Sequence, residues 1–349
     1  MSIQTRKNFT NSSGRSKIWS AIFLLIFIFA IVIGRYFIFK PSTNYDFEKI
    51  IEIYEIDTVQ KKEAFKDLLV LSSIMPKNKN WEEAFPKDES ISNILKLVSQ
   101  TQMKFSARYG RERWEVGEIP WIANNEMKIL NDLRTLGFVD EIKPKFKKFD
   151  AVCVLGAAKT SMIFRKNYLC DLIANKIIST PRIILVSGER YVTERVDGTV
   201  EELQQISDFF KIPDWKKLTE ARLLEYLYAQ SPLNNNKKIE KIVIDTPAGL
   251  LPRPTTKTTL EDLKKWLRKH PEIRKILFIS NQPYVLYQRE IVRTILNSQP
   301  QMIGKKIKID IAGPAVQTSP FPKAQAIVEG LGSYIWARSP SVIRKVIEK

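Results

Sequence analysis

The residues able to do chemistry in this chain stand just behind short apolar runs. AVCVL (151–155) is followed by Gly156, Lys159 and Thr160, with Arg165 further along the same segment. RIILVS (182–187) ends at Ser187 and leads to Gly188 and Glu189, KIVID (241–245) ends at Asp245, and KILFIS (275–280) runs into Asn281. Backbone N–H groups at a turn that opens a helix, with Lys and Arg nearby, suit an anion, because a helix start leaves donors unsatisfied. A carboxylate beside them, Glu189 or Glu261, could orient a hydroxyl or take its proton. Other chemistries are excluded. The one histidine, His270, sits at a helix end in WLRKHPEI, so neither a histidine metal centre nor a Ser-His-Asp triad can be assembled. VLGAAKTS lacks the P-loop spacing, and no G-x-G-x-x-G occurs. No cofactor and no metal are expected.

Such residues need a sheet to line them up. From Asp150 onward five apolar runs recur, the four above and KIKIDIA (306–312), separated by helix-like segments at 160–178, 200–230 (two helices), 257–269 and 285–298. Continuous Val/Ile/Leu runs are strands buried on both faces, and the helices between them permit parallel pairing. The expected fold is α/β: a Rossmann-like open sheet of about five parallel strands with helices on both faces. Ligands of such a sheet bind beyond the carboxyl ends of its strands, where the strand order reverses. That is where the candidate residues gather.

Ahead of it, residues 40–149 read as a helical, strand-poor region. KEAFKDLLVLSSIM, SISNILKLVSQTQMKF and NNEMKILNDLRTLG space apolar residues at three and four, with Ser90 or Ser92 as a cap for the second and Gly137 past the end of the third. A connector at 108–121 carries Arg108, Arg111, Arg113 and Trp114. Residues 18–39, IWSAIFLLIFIFAIVIGRYFIF, are apolar over the length a bilayer-spanning helix needs. No small-x-small cleavage site follows, which makes an uncleaved anchor the expectation. Arg6, Lys7, Arg15 and Lys17 precede the span, which places a tail of residues 1–17 in the cytoplasm and exports the α/β domain of residues 150–349. The formal charge of +18 calls for an anionic neighbour, a membrane surface or a phosphate-bearing ligand. Nucleic acid is not expected of an exported domain.

VLGAAKTS with its following arginine, then LVSGER, TTLEDL and LFISNQPYVLYQRE, resemble the SanA/ElyC/YdcF family of bacterial envelope proteins over roughly residues 150–298. The family pattern is a VLG turn, an Arg in the next helix, a strand ending in SGG, an E-A pair opening a helix, an N-T-x-E-N segment, and a strand followed by a histidine and an R-A pair. The resemblance places Gly156 at the first turn, Arg165 at the helix arginine, and Ser187 and Gly188 at the second strand end. Glu201 or Glu202 takes the helix-opening glutamate, Thr259 and Glu261 the T-x-E pair, and Arg289 the last arginine. Glu189 replaces the second glycine of SGG, and Pro283 or Tyr284 stands where the family has its histidine. The resemblance implies an inner-membrane protein of envelope biogenesis or barrier maintenance that binds a phosphate-bearing or lipid-linked precursor. An enzyme acting on a phosphorylated or sugar-containing precursor is the alternative. A membrane-tethered glycosyltransferase ranks third, since the exported part has no Asp-x-Asp motif.

Overall fold

The computed structural model describes residues 45–106, 115–251, 253–297, 307–316 and 323–348. The expected tail at 1–17 and membrane span at 18–39 lie outside them, as do Arg108, Arg111, Arg113 and Trp114. Among the described residues no helix is long and apolar enough to cross a membrane.

Five strands, β1 (Ala151–Leu155), β2 (Arg182–Gly188), β3 (Glu240–Thr246), β4 (Lys275–Ile279) and β5 (Lys308–Ala312), form one sheet in the order β3-β2-β1-β4-β5. Every pairing is parallel. The chain steps outward from β1 to β3, then returns to the other side of β1 for β4 and β5, so the order reverses between β1 and β4. Side chains alternate between two cores. Val152, Val154, Ile183 and Leu185 meet Met162, Leu169 and Leu223 on one face. Ala151, Cys153, Leu155, Ile184 and Val186 meet Leu260, Leu263 and Val292 on the other. Apolar side chains on both sides explain why these strands read as unbroken runs. Cys153 and Cys170 are both free and belong to opposite faces.

A third core holds the helical region. It joins α1 (Phe47–Ile53), α2 (Val59–Leu71), α3 (Trp81–Ala84), α4 (Ser90–Thr101), α5 (Pro120–Ala123) and α6 (Glu126–Thr135) around Phe47, Phe65, Trp81, Leu97 and Leu133. The crossovers of the sheet are α7 (Lys159–Ala174), then α8 (Glu194–Asp197), α9 (Val200–Phe209) and α10 (Glu220–Ala229) between β2 and β3, then α11 (Thr256–Arg268) and α12 (Val285–Asn297). The last helix, α13 (Lys323–Ile347), puts Ile327, Leu331, Ile335 and Val342 into the helical core rather than onto the sheet.

Local starts and stops follow capping chemistry, with one correction. Gly137, at φ 83°, closes α6 as expected. At α4 neither Ser90 nor Ser92 caps: the cap position is Glu89, without a side-chain bond, and Ser90 Oγ donates instead to the Tyr45 and Lys87 carbonyls. At α11 the cap is Thr255, which forms a reciprocal pair with Thr258.

Candidate functional site

The point of strand reversal is occupied by one side chain. Arg165, on the second turn of α7, turns back under the end of β1 and is buried. Its Nη1 donates to the carbonyls of Leu155 (2.7 Å) and Gly156 (2.8 Å), and its Nε donates to Asn281 Oδ1 (2.7 Å) at the end of β4. Nη2 has no hydrogen-bond partner among the described residues, and no carboxylate of theirs lies within ion-pair distance. Burial pushes the guanidinium down to about 10, against the raising influence of Glu220 and Tyr284. It therefore stays cationic at neutral pH. A buried charge without a counter-ion is costly, and such groups cluster where a ligand completes the balance.

A second network closes the crevice above β1 and β2. Ser187 Oγ donates to Glu220 Oε1 (2.7 Å), and Arg190 Nε donates to Glu220 Oε2 (2.5 Å). The other end of Arg190 grips Asp197 through Nη1 (2.8 Å) and Nη2 (2.9 Å). Asp197 is fully buried and also accepts the backbone N–H groups of Lys159 (3.2 Å) and Thr193 (2.9 Å). An internal carboxylate thus sits at the start of α7, where an anionic ligand was expected. Burial opposes the Arg190 charge, but the Asp197 hydrogen bonds and the Glu220 carboxylate outweigh it and push the guanidinium up. Gly156 is required here because a Cβ would lie 2.7 Å from Ser187 Cβ and overlap Glu220 Oε1. Gly188 lets β2 pass 2.6 Å, as an added Cβ would measure it, from the Thr246 carbonyl.

Of the residues expected from sequence, Gly156, Arg165, Ser187 and Asn281 meet at this crevice, and Lys159 joins through its backbone. The Lys159 side chain instead pairs with Glu202 (2.9 Å), and Thr160 is exposed on the first turn of α7. The remaining residues do not converge. Glu189 is exposed and accepts from Ala248 N (3.1 Å), tethering the loop after β3. Glu261 forms no hydrogen bond or ion pair among the described residues, so neither carboxylate stands as the base beside Arg165. Glu201 is exposed on α9. Thr259 donates to the Thr256 carbonyl inside α11. Asp245 stands on the edge strand β3 with its residue surface open to solvent and its carboxyl partly desolvated by its neighbours; that desolvation, with Glu189 and Glu225, pushes the carboxyl up against the pull of Arg222.

Arg289 belongs to a different place. It pairs with Glu55 and with Glu290 (3.0 Å), while Arg338 on α13 pairs with Glu290 (3.0 Å) and Glu55 (3.3 Å) and caps the Ile53 carbonyl (2.7 Å). This cluster ties the helical region to α12. A cavity of about 230 Å³ beside it, lined by Glu55, Gly137, Asp140, Leu286 and Tyr334 among others, contains none of the expected site residues.

Sequence reasoning missed Glu220 and Asp197 and quoted Arg190 only as the last residue of LVSGER. The signal for Glu220 was present. Glu220–Ala221 opens α10 directly after the capping Thr219, the same helix-opening Glu-Ala pair that had been placed at Glu201 or Glu202. Asp197 had no such signal. No known protein family, curated protein or solved structure matches the chain.

Proposed function

We propose that the chain is a membrane-anchored, exported α/β module that binds a phosphate-bearing or lipid-linked anion at the carboxyl edge of its sheet. In this reading it acts in bacterial cell-envelope biogenesis or barrier maintenance. One observation carries the binding reading: Arg165 is a buried cation at the strand reversal, with no ion-pair partner among the described residues and one nitrogen uncommitted. A planar guanidinium in that state favours an oxyanion over bulk water. The envelope setting rests on the family resemblance and on the apolar run at 18–39.

The test is thermal unfolding of the full-length protein in detergent against inorganic phosphate, sugar phosphates and polyprenyl phosphate. A ligand at 100 times its Kd stabilises by about 2.7 kcal/mol. For 349 residues that is a midpoint rise of roughly 4 °C. Arg165→Met should abolish the rise. An equal rise in the variant would reject the site. A second reading, catalysis on such a precursor, is favoured by the Ser187 hydroxyl held 2.7 Å from Glu220 beside this cation. Turnover of a bound phosphorylated ligand that disappears in Ser187→Ala would establish it.

A further inference from the structure

The opposite edge of the sheet is basic from side to side. Lys147 and Lys148 precede β1, Lys237 and Lys238 precede β3, Arg274 precedes β4, and Lys308 opens β5. The strand register makes them neighbours. Arg182 faces Glu240, Lys148 bridges to Ser179, the Asp150 N–H donates to the Lys275 carbonyl, and Lys275 faces Lys308. Four strand spacings put the outer members of the row about 19 Å apart. All six named side chains are exposed, and none is in an ion pair among the described residues. The carboxylates nearby are committed. Glu240 and Glu272 both pair with Arg182 (3.0 and 3.4 Å), and Asp150 Oδ2 accepts the backbone N–H groups of Arg274 and Lys275 (2.8 Å each).

Helix dipoles do not account for this row. The carboxyl ends of α7, α10, α11 and α12 do gather at this edge, but a helix end acts mainly within its last turn, and all six cations stand at least six residues past the preceding α-helix, leading into strands. Two apolar side chains stand among them: Phe146, under the Lys275 ammonium at 5.0 Å from its ring centre, and exposed Ile177. We infer that this amino-terminal edge of the sheet is a docking face for an anionic lipid bilayer. Five of the six cations are lysines, whose flexible ammonium groups suit a diffuse headgroup layer, whereas base reading relies on Arg, Asn and Gln forks. Exposed Phe and Ile within a basic field are what an interface of headgroups and acyl chains accepts. With this face on the bilayer, the crevice around Arg165 lies at the other end of the strands, away from the lipid, which narrows its ligand to the phosphate-bearing rather than the lipid-linked anion.

The experiment is residue-resolved lysine labelling of the full-length chain in nanodiscs, with phosphatidylcholine alone or enriched in phosphatidylglycerol. Labelling of Lys147, Lys148, Lys237, Lys238 and Lys308 should fall several-fold only with the anionic lipid, while Lys257 at the opposite edge stays unchanged. The variant K147Q/K148Q/K237Q/K238Q removes surface charges with no fold-supporting ion pair among the described residues. It should weaken contact of this face with the anionic surface roughly 10²- to 10³-fold and leave Lys308 as reactive as in neutral discs. Equal labelling in both lipids overturns the inference. Protection by a short oligonucleotide but not by anionic lipid also overturns it, in favour of a nucleic-acid face.

Discussion

Replacing Glu220 by glutamine removes one charge and almost no volume from the crevice. The amide keeps an acceptor for Ser187, which donates at 2.7 Å, but turns an N–H group towards the Arg190 guanidinium, where Nε now donates at 2.5 Å. Removing one partner of a buried ion pair costs about 3–5 kcal/mol. Arg190 keeps both contacts to Asp197, so the expected loss is smaller, about 1–3 kcal/mol. At about 2.1 cal/mol/K per residue, 349 residues unfold with roughly 0.7 kcal/mol/K, and the midpoint should fall about 1.5–4 °C. Ligand binding should move the other way. Glu220 is the carboxylate whose field offsets Arg165, and without it Arg190 keeps Asp197 while Arg165 loses that offset. Each 1.4 kcal/mol of relieved repulsion tightens a phosphate about tenfold. The assay is thermal unfolding with and without a phosphate titration. Lower stability together with a larger phosphate response is the expected pair. An unchanged midpoint with an unchanged response would refute the reasoning, because the Ser187–Glu220–Arg190 chain would then hold nothing.

Asp197→Asn should be more damaging than Glu220→Gln, by about 3–5 kcal/mol in urea unfolding, since Asp197 is fully buried and serves Arg190, Lys159 and Thr193 at once. Arg338→Met should cost about 2–4 kcal/mol by the same measurement, less than a fully orphaned charge because Glu290 keeps Arg289. Acid unfolding should involve Glu55. Burial would raise its carboxyl, but Arg289 and Arg338 outweigh burial and hold it below the ordinary glutamate value. Its contribution is therefore present above the unfolded-state pKa and lost as pH falls through the folded one, so Glu55→Gln should flatten the acid limb of a stability–pH curve. Asp245 has the opposite sign. Burial raises it, so stability falls as pH climbs from the unfolded value through the folded one, and Asp245→Asn should unfold at higher temperature at neutral pH.

β1, β2 and β4 were legible because they are buried on both faces, where strands read as continuous apolar runs; the edge strands β3 and β5, exposed at their starts, still carried the short runs IVI and IDIA. Arg165 was legible from its place after the first turn. Its partner Asn281 was legible as well, since both stand behind strands on either side of the reversal. Glu220 was misplaced because three helices lie between β2 and β3, and spacing alone does not say which of them returns to the sheet edge. The return is made by backbone contacts, the Glu220 N–H donating to the Arg190 carbonyl at 2.8 Å and a bridge between Tyr191 and Thr219. Arg289 went astray for a related reason. Its carboxylate partner Glu55 is 234 residues away, in a region whose packing against α12 no local pattern announces.

The two edges of the sheet carry different kinds of cation. At the carboxyl edge, Arg190 is matched by Asp197 and Glu220 and Lys159 by Glu202, while the buried Arg165 lacks an ion-pair partner among the described residues. At the amino edge, six exposed cations have no ion pair among the described residues, and the local carboxylates are spent elsewhere. Electrostatic attraction over distance belongs to the second set, because exposed charges act out to a Debye length of about 8 Å and are weakened by salt. The buried Arg165 acts only at contact and is screened far less. In the proposed reading, the exposed set serves long-range approach to an anionic surface at one end of the strands, and Arg165 serves short-range capture of an anion at the other.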